Sequence, residues 1–102
     1  MSGTIFVGKQ KPLDIRTVDF IRIVGAIRAH ATASPVAKRI VDTVDDFGMN
    51  MIFADELGAS DFTSFYELMK RVRSDLGADP SLAAFLDQVC RLIENDNRLV
   101  DK

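Results

Sequence analysis

The sequence has no tryptophan, and one cysteine, one histidine and one tyrosine among its 102 residues. Each scarcity removes a class of chemistry. With Cys90 alone, no disulfide can close within the chain, which fits a reducing compartment. A structural zinc site takes about four Cys or His ligands, and His30 and Cys90 supply one of each. The alternating Asp/Asn pattern of a calcium loop is missing. Gly3-x4-Gly8-Lys9 resembles the end of a phosphate loop, but Gln10 stands where Ser or Thr would hold the metal. The expectation is therefore no metal, no cofactor and no catalytic residue.

Long apolar runs are missing as well. Near the N-terminus the apolar stretch Ile5-Phe6-Val7 is three residues long, against about 7–15 in a secretory core and roughly 20 in a membrane helix. The reading is a cytoplasmic protein without a membrane segment. A strong excess of one charge is also absent: the formal net charge is −2 and the isoelectric point about 5.2. Duplex-DNA binders usually carry a basic stripe and a high isoelectric point. The charge is uneven, however. Residues 1–48 are net +2 and residues 49–102 net −4.

What is present is a 47% hydrophobic chain with 27% charged residues, ordinary globular proportions at the size of one domain. Pattern reading gives residues 1–102 as a single helical domain. It is all-α, a compact four- to five-helix fold with a short apolar N-terminal arm or strand. Residues 1–12 form the arm and a basic loop, and 96–102 a polar tail. The arm, Thr4 to Val7, has the β-branched and aromatic character that suits pairing with another chain.

The first helix is expected from Leu13 or Asp14 to Ala31, with Asp14 as N-cap. Phe20, Ile23, Val24 and Ile27 form its apolar face, widened by Val18 and Ile21. Gly25 lies mid-helix, where it weakens the helix by about 1 kcal/mol against alanine. Its presence there marks either close approach by another backbone or a tolerated weakness in the helix. The second helix starts at Ser34-Pro35, cap followed by proline, and ends at Gly48; Ile40, Val41, Val44 and Phe47 are assigned to its inward face. Residues 49–57 fit both periods, Met49, Met51 and Phe53 alternating as in a strand; the closing Gly58 favours a short helix. Further helices are expected over Asp61–Leu76 and from Asp79-Pro80 to about Asn95. Gly8-Lys9-Gln10-Lys11-Pro12 and Ala37 to Val44 are similar to parts of Alba-type chromatin proteins. That family needs a strand between its two helices, and only Thr32 to Ser34 are free here, so the likeness does not extend to the fold.

Asp42, Asp45, Asp46, Asp55, Glu56 and Asp61 give an acidic set suited to a basic partner by charge complementarity. Tyr66, apolar in body and polar at its tip, would serve at the rim. The function expected is a protein–protein interaction module, of the inhibitor, antitoxin or immunity type, covering a basic partner surface. An alternative is a homo-oligomeric nucleic-acid-associated regulator, with phosphate contacts from Lys9, Lys11, Arg16, Arg22 and Arg28. Another is a structural subunit of a larger complex, its apolar first helix buried in a partner.

Overall fold

A computed structural model of the chain describes residues 2–8, 11–48, 50–96, 98 and 99. The fold is α+β and not all-α. Three strands, β1 (Ser2–Phe6), β2 (Leu13–Arg16) and β3 (Met51–Phe53), form one sheet in the order β2-β1-β3. Four helices accompany it: α1 (Thr17–Ala29), α2 (Pro35–Phe47), α3 (Ala59–Asp75) and α4 (Pro80–Glu94). A single 3-10 turn, Ala54–Glu56, links β3 towards α3. No helix among the described residues is long and apolar enough to cross a membrane.

The expected N-terminal arm is the middle strand of this chain's own sheet. β1 pairs antiparallel with β2, Thr4 opposite Asp14 and Gly3 opposite Ile15. It pairs in parallel with β3, Ile5 opposite Ile52. A parallel pair needs a crossover, and β2, α1 and α2 together supply it. Ile5 and Val7 point into the core, 0% and 2% exposed. The opposite face carries Phe6 and Phe53, stacked with centroids 5.2 Å apart.

Two sequence readings are corrected here. Leu13–Arg16 was expected to open the first helix, yet it is β2. Its apolar residues, Leu13 and Ile15, are half-buried while Asp14 and Arg16 are exposed, the period-2 pattern of a strand with one covered face. Asp14 is not an N-cap: its carboxylate accepts from Thr4 Oγ1 across the strand pair at 2.7 Å. α1 begins at Thr17 without a side-chain cap. Residues 51–56, expected as helix, are β3 and the 3-10 turn. The local pattern allowed both periods, and the free edge of β1 selects the strand. Met49 lies outside the described residues.

The cap signals of α2 and α4 hold, whereas α3 begins at Ala59, ahead of the expected Asp61, with Gly58 at its N-cap and no side-chain cap. Ser34 accepts from Ala37 N at 3.2 Å, with Pro35 in the first turn. Gly48 ends α2 at φ 60°, in the left-handed region that favours glycine. Asp79 accepts from Ser81 N and Leu82 N ahead of α4.

Gly3 is required by packing. A Cβ at this position would overlap the Phe20 ring, which is itself 1% exposed. The first helix therefore sits directly on the central strand. At the other end the polar tail folds back. Leu99 is buried, and the Arg98 guanidinium donates to the carbonyls of Ala54 and Leu57, both at 2.9 Å, and of Val7. It also pairs with Asp96 at 2.9 Å and lies 3.8 Å over the Phe62 ring.

Gly3→Ala should cost about 1–3 kcal/mol by overpacking, lowering Tm by roughly 5–20 °C; an unchanged melting curve would contradict this packing. Arg98→Ala should cost on the order of 2–3 kcal/mol, because the carbonyls of Val7, Ala54, Asp55 and Leu57 lose a charged donor. Arg98→Lys should recover only part of that, since a point ammonium cannot reproduce the planar fork.

Candidate functional site

The acidic set falls into two groups by its partners. Asp42 accepts from Lys38 Nζ at 2.8 Å. Asp45 takes a two-pronged contact from Arg28 at 2.9 and 3.0 Å. Asp61 meets Arg39 at 3.3 Å. The Arg28 hydrogen bond holds the Asp45 carboxyl below the usual carboxylate range, and the Asp42 contact raises the Lys38 ammonium. Asp46, Asp55 and Glu56 are exposed and have no ion-pair partner among the described residues. They are the carboxylates available to an approaching cation. Asp46 ends the acidic side of α2, and Asp55 and Glu56 project from the 3-10 turn whose carbonyls Arg98 grips.

Tyr66 does not join this group. Its hydroxyl donates to Glu94 of α4 at 2.6 Å, and Lys70 Nζ lies 4.4 Å from its ring centroid. Its pKa is pushed up to about 12, chiefly because ionisation would break the Glu94 hydrogen bond.

The basic set is largely matched within the chain. Arg16 pairs with Asp19 at 3.0 Å, Arg22 with Asp79 at 2.7 Å, and Arg28 with Asp45. Lys11 is exposed, and Lys9 lies outside the described residues. Three of the five proposed phosphate contacts thus already face a carboxylate.

The C-terminal half of α2 stands between two hollows. One, of about 210 Å³, lies between Ile40 and Thr43 of α2, strand β3, and Glu56 and Leu57. The other, of about 230 Å³, is lined by Ile21, Val24 and Gly25 of α1 and by Val44 of α2. Sequence periodicity assigned Ile21, Val18 and Phe47 to covered faces. They are instead 60%, 58% and 69% exposed. The sheet, α2 and α3 together pack against α1 and bury Phe20, Ile23, Val24 and Ile27, so the widened stripe is left outside. Amphipathic spacing alone could not find this surface, because it reads exposed and buried apolar residues alike.

The single histidine faces a carboxylate and the single cysteine is half-buried. His30, at the end of α1, has Nε2 2.8 Å from Asp75 Oδ2. Cys90 is half-buried, and desolvation followed by the Glu94 and Asp87 charges pushes its thiol up to about 11. Among the described residues no three His, Cys, Asp or Glu side chains are grouped to hold a metal ion.

No protein-family model matches the chain, and no curated protein matches it. Among solved structures, it is similar in fold to a chain of the complex described as CdiA-CT toxin from Burkholderia pseudomallei E479 with its cognate CdiI immunity protein. The TM-score is 0.77 at 22% identity, over 95% of this chain and 98% of that one.

With one tyrosine and no tryptophan, alkaline titration followed by ultraviolet absorbance reads Tyr66 alone. The phenolate should appear near pH 12, and Glu94→Gln should bring it down towards 10. Because the folded value lies above the unfolded one, the hydrogen bond stabilises the fold fully below pH 10 and is lost as pH rises through 12. A phenolate forming near pH 10 in the wild type would contradict the pairing. The single thiol should react slowly with a disulfide reagent at pH 8, since little thiolate is present; rapid labelling would contradict the placement of Cys90.

Proposed function

We propose that this chain is the immunity-type member of a toxin–immunity pair, a binding module that covers a basic surface of its partner in the cytoplasm. The observation that carries the reading is the extent of the fold similarity. It takes in nearly all of both chains, at TM-score 0.77, and the similar chain comes from a toxin bound to its immunity protein.

The immunity side is favoured over the toxin side by the side chains. His30 is engaged with Asp75, and the Cys90 thiol is protonated at neutral pH. The only thiol of the chain is thus not poised as a nucleophile. The carboxylates Asp46, Asp55 and Glu56, by contrast, are exposed, and Glu56 lines the hollow beside Ile40 and Thr43 of α2. Opposite charge across an interface mainly accelerates and orients association, which suits a protein that must capture a toxin quickly. The basic alternative has less support, since Arg16, Arg22 and Arg28 are matched by carboxylates.

The test is growth of a bacterial host. Induction of this chain alone should leave growth unchanged. Co-expression should restore growth arrested by a CdiA-type C-terminal toxin region encoded beside the chain's own gene. Arrest by this chain alone would assign it to the toxin side, and failure to protect against the neighbouring toxin would overturn the proposal. Replacing Asp46, Asp55 and Glu56 together by lysine should keep the melting curve while slowing association about 10- to 100-fold at low salt. Unchanged association would remove the acidic surface from the interface.

A further inference from the structure

The sheet order β2-β1-β3 leaves β2 paired on one side only. The central strand shows where the remaining backbone groups of β2 point. Thr4 N–H donates to the Asn50 carbonyl at 2.9 Å, towards β3. Along a strand the N–H and C=O of successive residues turn to opposite sides. Those of Gly3 and Ile5 therefore face β2 and bond their register partners Ile15 and Leu13. The backbone groups of Asp14 and the N–H of Arg16 consequently point away from the sheet. An open row of this kind is a template for another strand.

The side chains of the edge say which strand fits it. Asp14 and Arg16 are its exposed residues, alternating with half-buried Leu13 and Ile15. Charges of one sign blunt an edge by repelling a copy of themselves; these two are of opposite sign. With Ile15 set against Ile15 of a second, antiparallel copy, each Asp14 falls opposite an Arg16. The neighbouring registers set Asp14 against Asp14, or Arg16 against Arg16, and like charges directly opposite are unfavourable. Both side chains keep a free side. Asp14 uses Oδ1 on Thr4. Arg16 uses Nε and Nη2 on Asp19 and is 76% exposed, with no partner for Nη1 among the described residues.

We propose that β2 pairs antiparallel with β2 of a second copy, about a two-fold axis at Ile15, joining two three-stranded sheets into one. Each Arg16 N–H donates to the Asp14 carbonyl of the other chain, and each Asp14 carboxylate meets the other chain's Arg16 guanidinium. The half-buried Ile15 side chains meet at the axis. Such a self-complementary contact is the usual form of a two-fold dimer. With four residues in each strand the contact is small and the dimer weak, so it forms at raised concentration. β3 and the Ala54–Glu56 turn that follows it belong to the opposite edge. The contact therefore does not use Asp55 or Glu56, and it stands apart from the immunity-type reading.

The test is light scattering on the full chain at low salt and rising concentration. The mass should climb from 11.3 kDa towards twice that, and added salt should reverse the climb. Asp14→Arg makes the row wholly basic, and Arg16→Asp makes it wholly acidic. Each variant alone should self-associate roughly tenfold more weakly or less. An equimolar mixture of the two should form a heterodimer, because every facing pair is then of opposite sign. Recovery on mixing shows at once that both variants are folded. Hydrogen exchange on the wild type needs no variant: the Asp14 and Arg16 amides should gain protection as concentration rises. A chain that stays monomeric at every concentration would overturn the proposal. So would a dimer that survives both reversals, or one whose Asp14 and Arg16 amides exchange as in the monomer. Protection of this edge by a toxin partner alone, with no self-association, would assign it to that partner and overturn the proposal as well.

Discussion

Arg98 joins parts of the chain that are far apart in sequence. Its guanidinium reaches the Val7 carbonyl, 91 residues away, and in the same plane the carbonyls of Ala54 and Leu57. Five N–H donors in a rigid fork satisfy several acceptors at once, while Asp96 supplies the opposing charge and Phe62 a π-face. The end of the central strand, the 3-10 turn and the start of α3 are thereby held to one another. This matters beyond stability. Asp55 and Glu56 are part of that turn, so the cation that clamps its backbone also fixes where these exposed side chains leave it. An arginine buried against carbonyls on one side presents two acids to solvent on the other.

The distribution of the remaining charge follows a related logic. Four of the eight arginines meet a carboxylate on a neighbouring element: Arg22 with Asp79, Arg28 with Asp45, Arg39 with Asp61, Arg73 with Asp87. Exposed pairs of this kind contribute little stability, about 0–1 kcal/mol each. Their larger effect is on the surface field. They cancel the basic character of the N-terminal half, and the uncancelled carboxylates Asp46, Asp55 and Glu56 then dominate the region around α2.

The elements legible in the sequence were those with local punctuation. Ser34-Pro35, Asp79-Pro80 and Gly48 announce helix ends through hydrogen bonds and backbone angles confined to a few residues. The sheet was not legible. Leu13 and Ile15 join smoothly to the helical spacing that begins at Phe20, and Met51–Phe53 is too short for its alternation to prevail over a helical reading. Both strands exist because β1 offers them an edge, a long-range circumstance that leaves no local trace. Gly3 marks the same gap: only the position of Phe20 gives it meaning. In the candidate site, the acidic residues could be named from sequence, but their division into paired and unpaired could not, since the Arg28–Asp45 and Arg39–Asp61 pairs bridge separate elements. The exposed Val18, Ile21 and Phe47 were misread as core because periodicity says which residues share a face and not whether that face is covered.

The most direct measurement is hydrogen–deuterium exchange on the chain, free and bound to the toxin region it protects against. The account predicts that new protection concentrates in two segments: the C-terminal half of α2 and the Ala54–Glu56 turn. Protection centred instead on the α3–α4 side around Tyr66 and Glu94, with α2 exchanging as in the free protein, would contradict it.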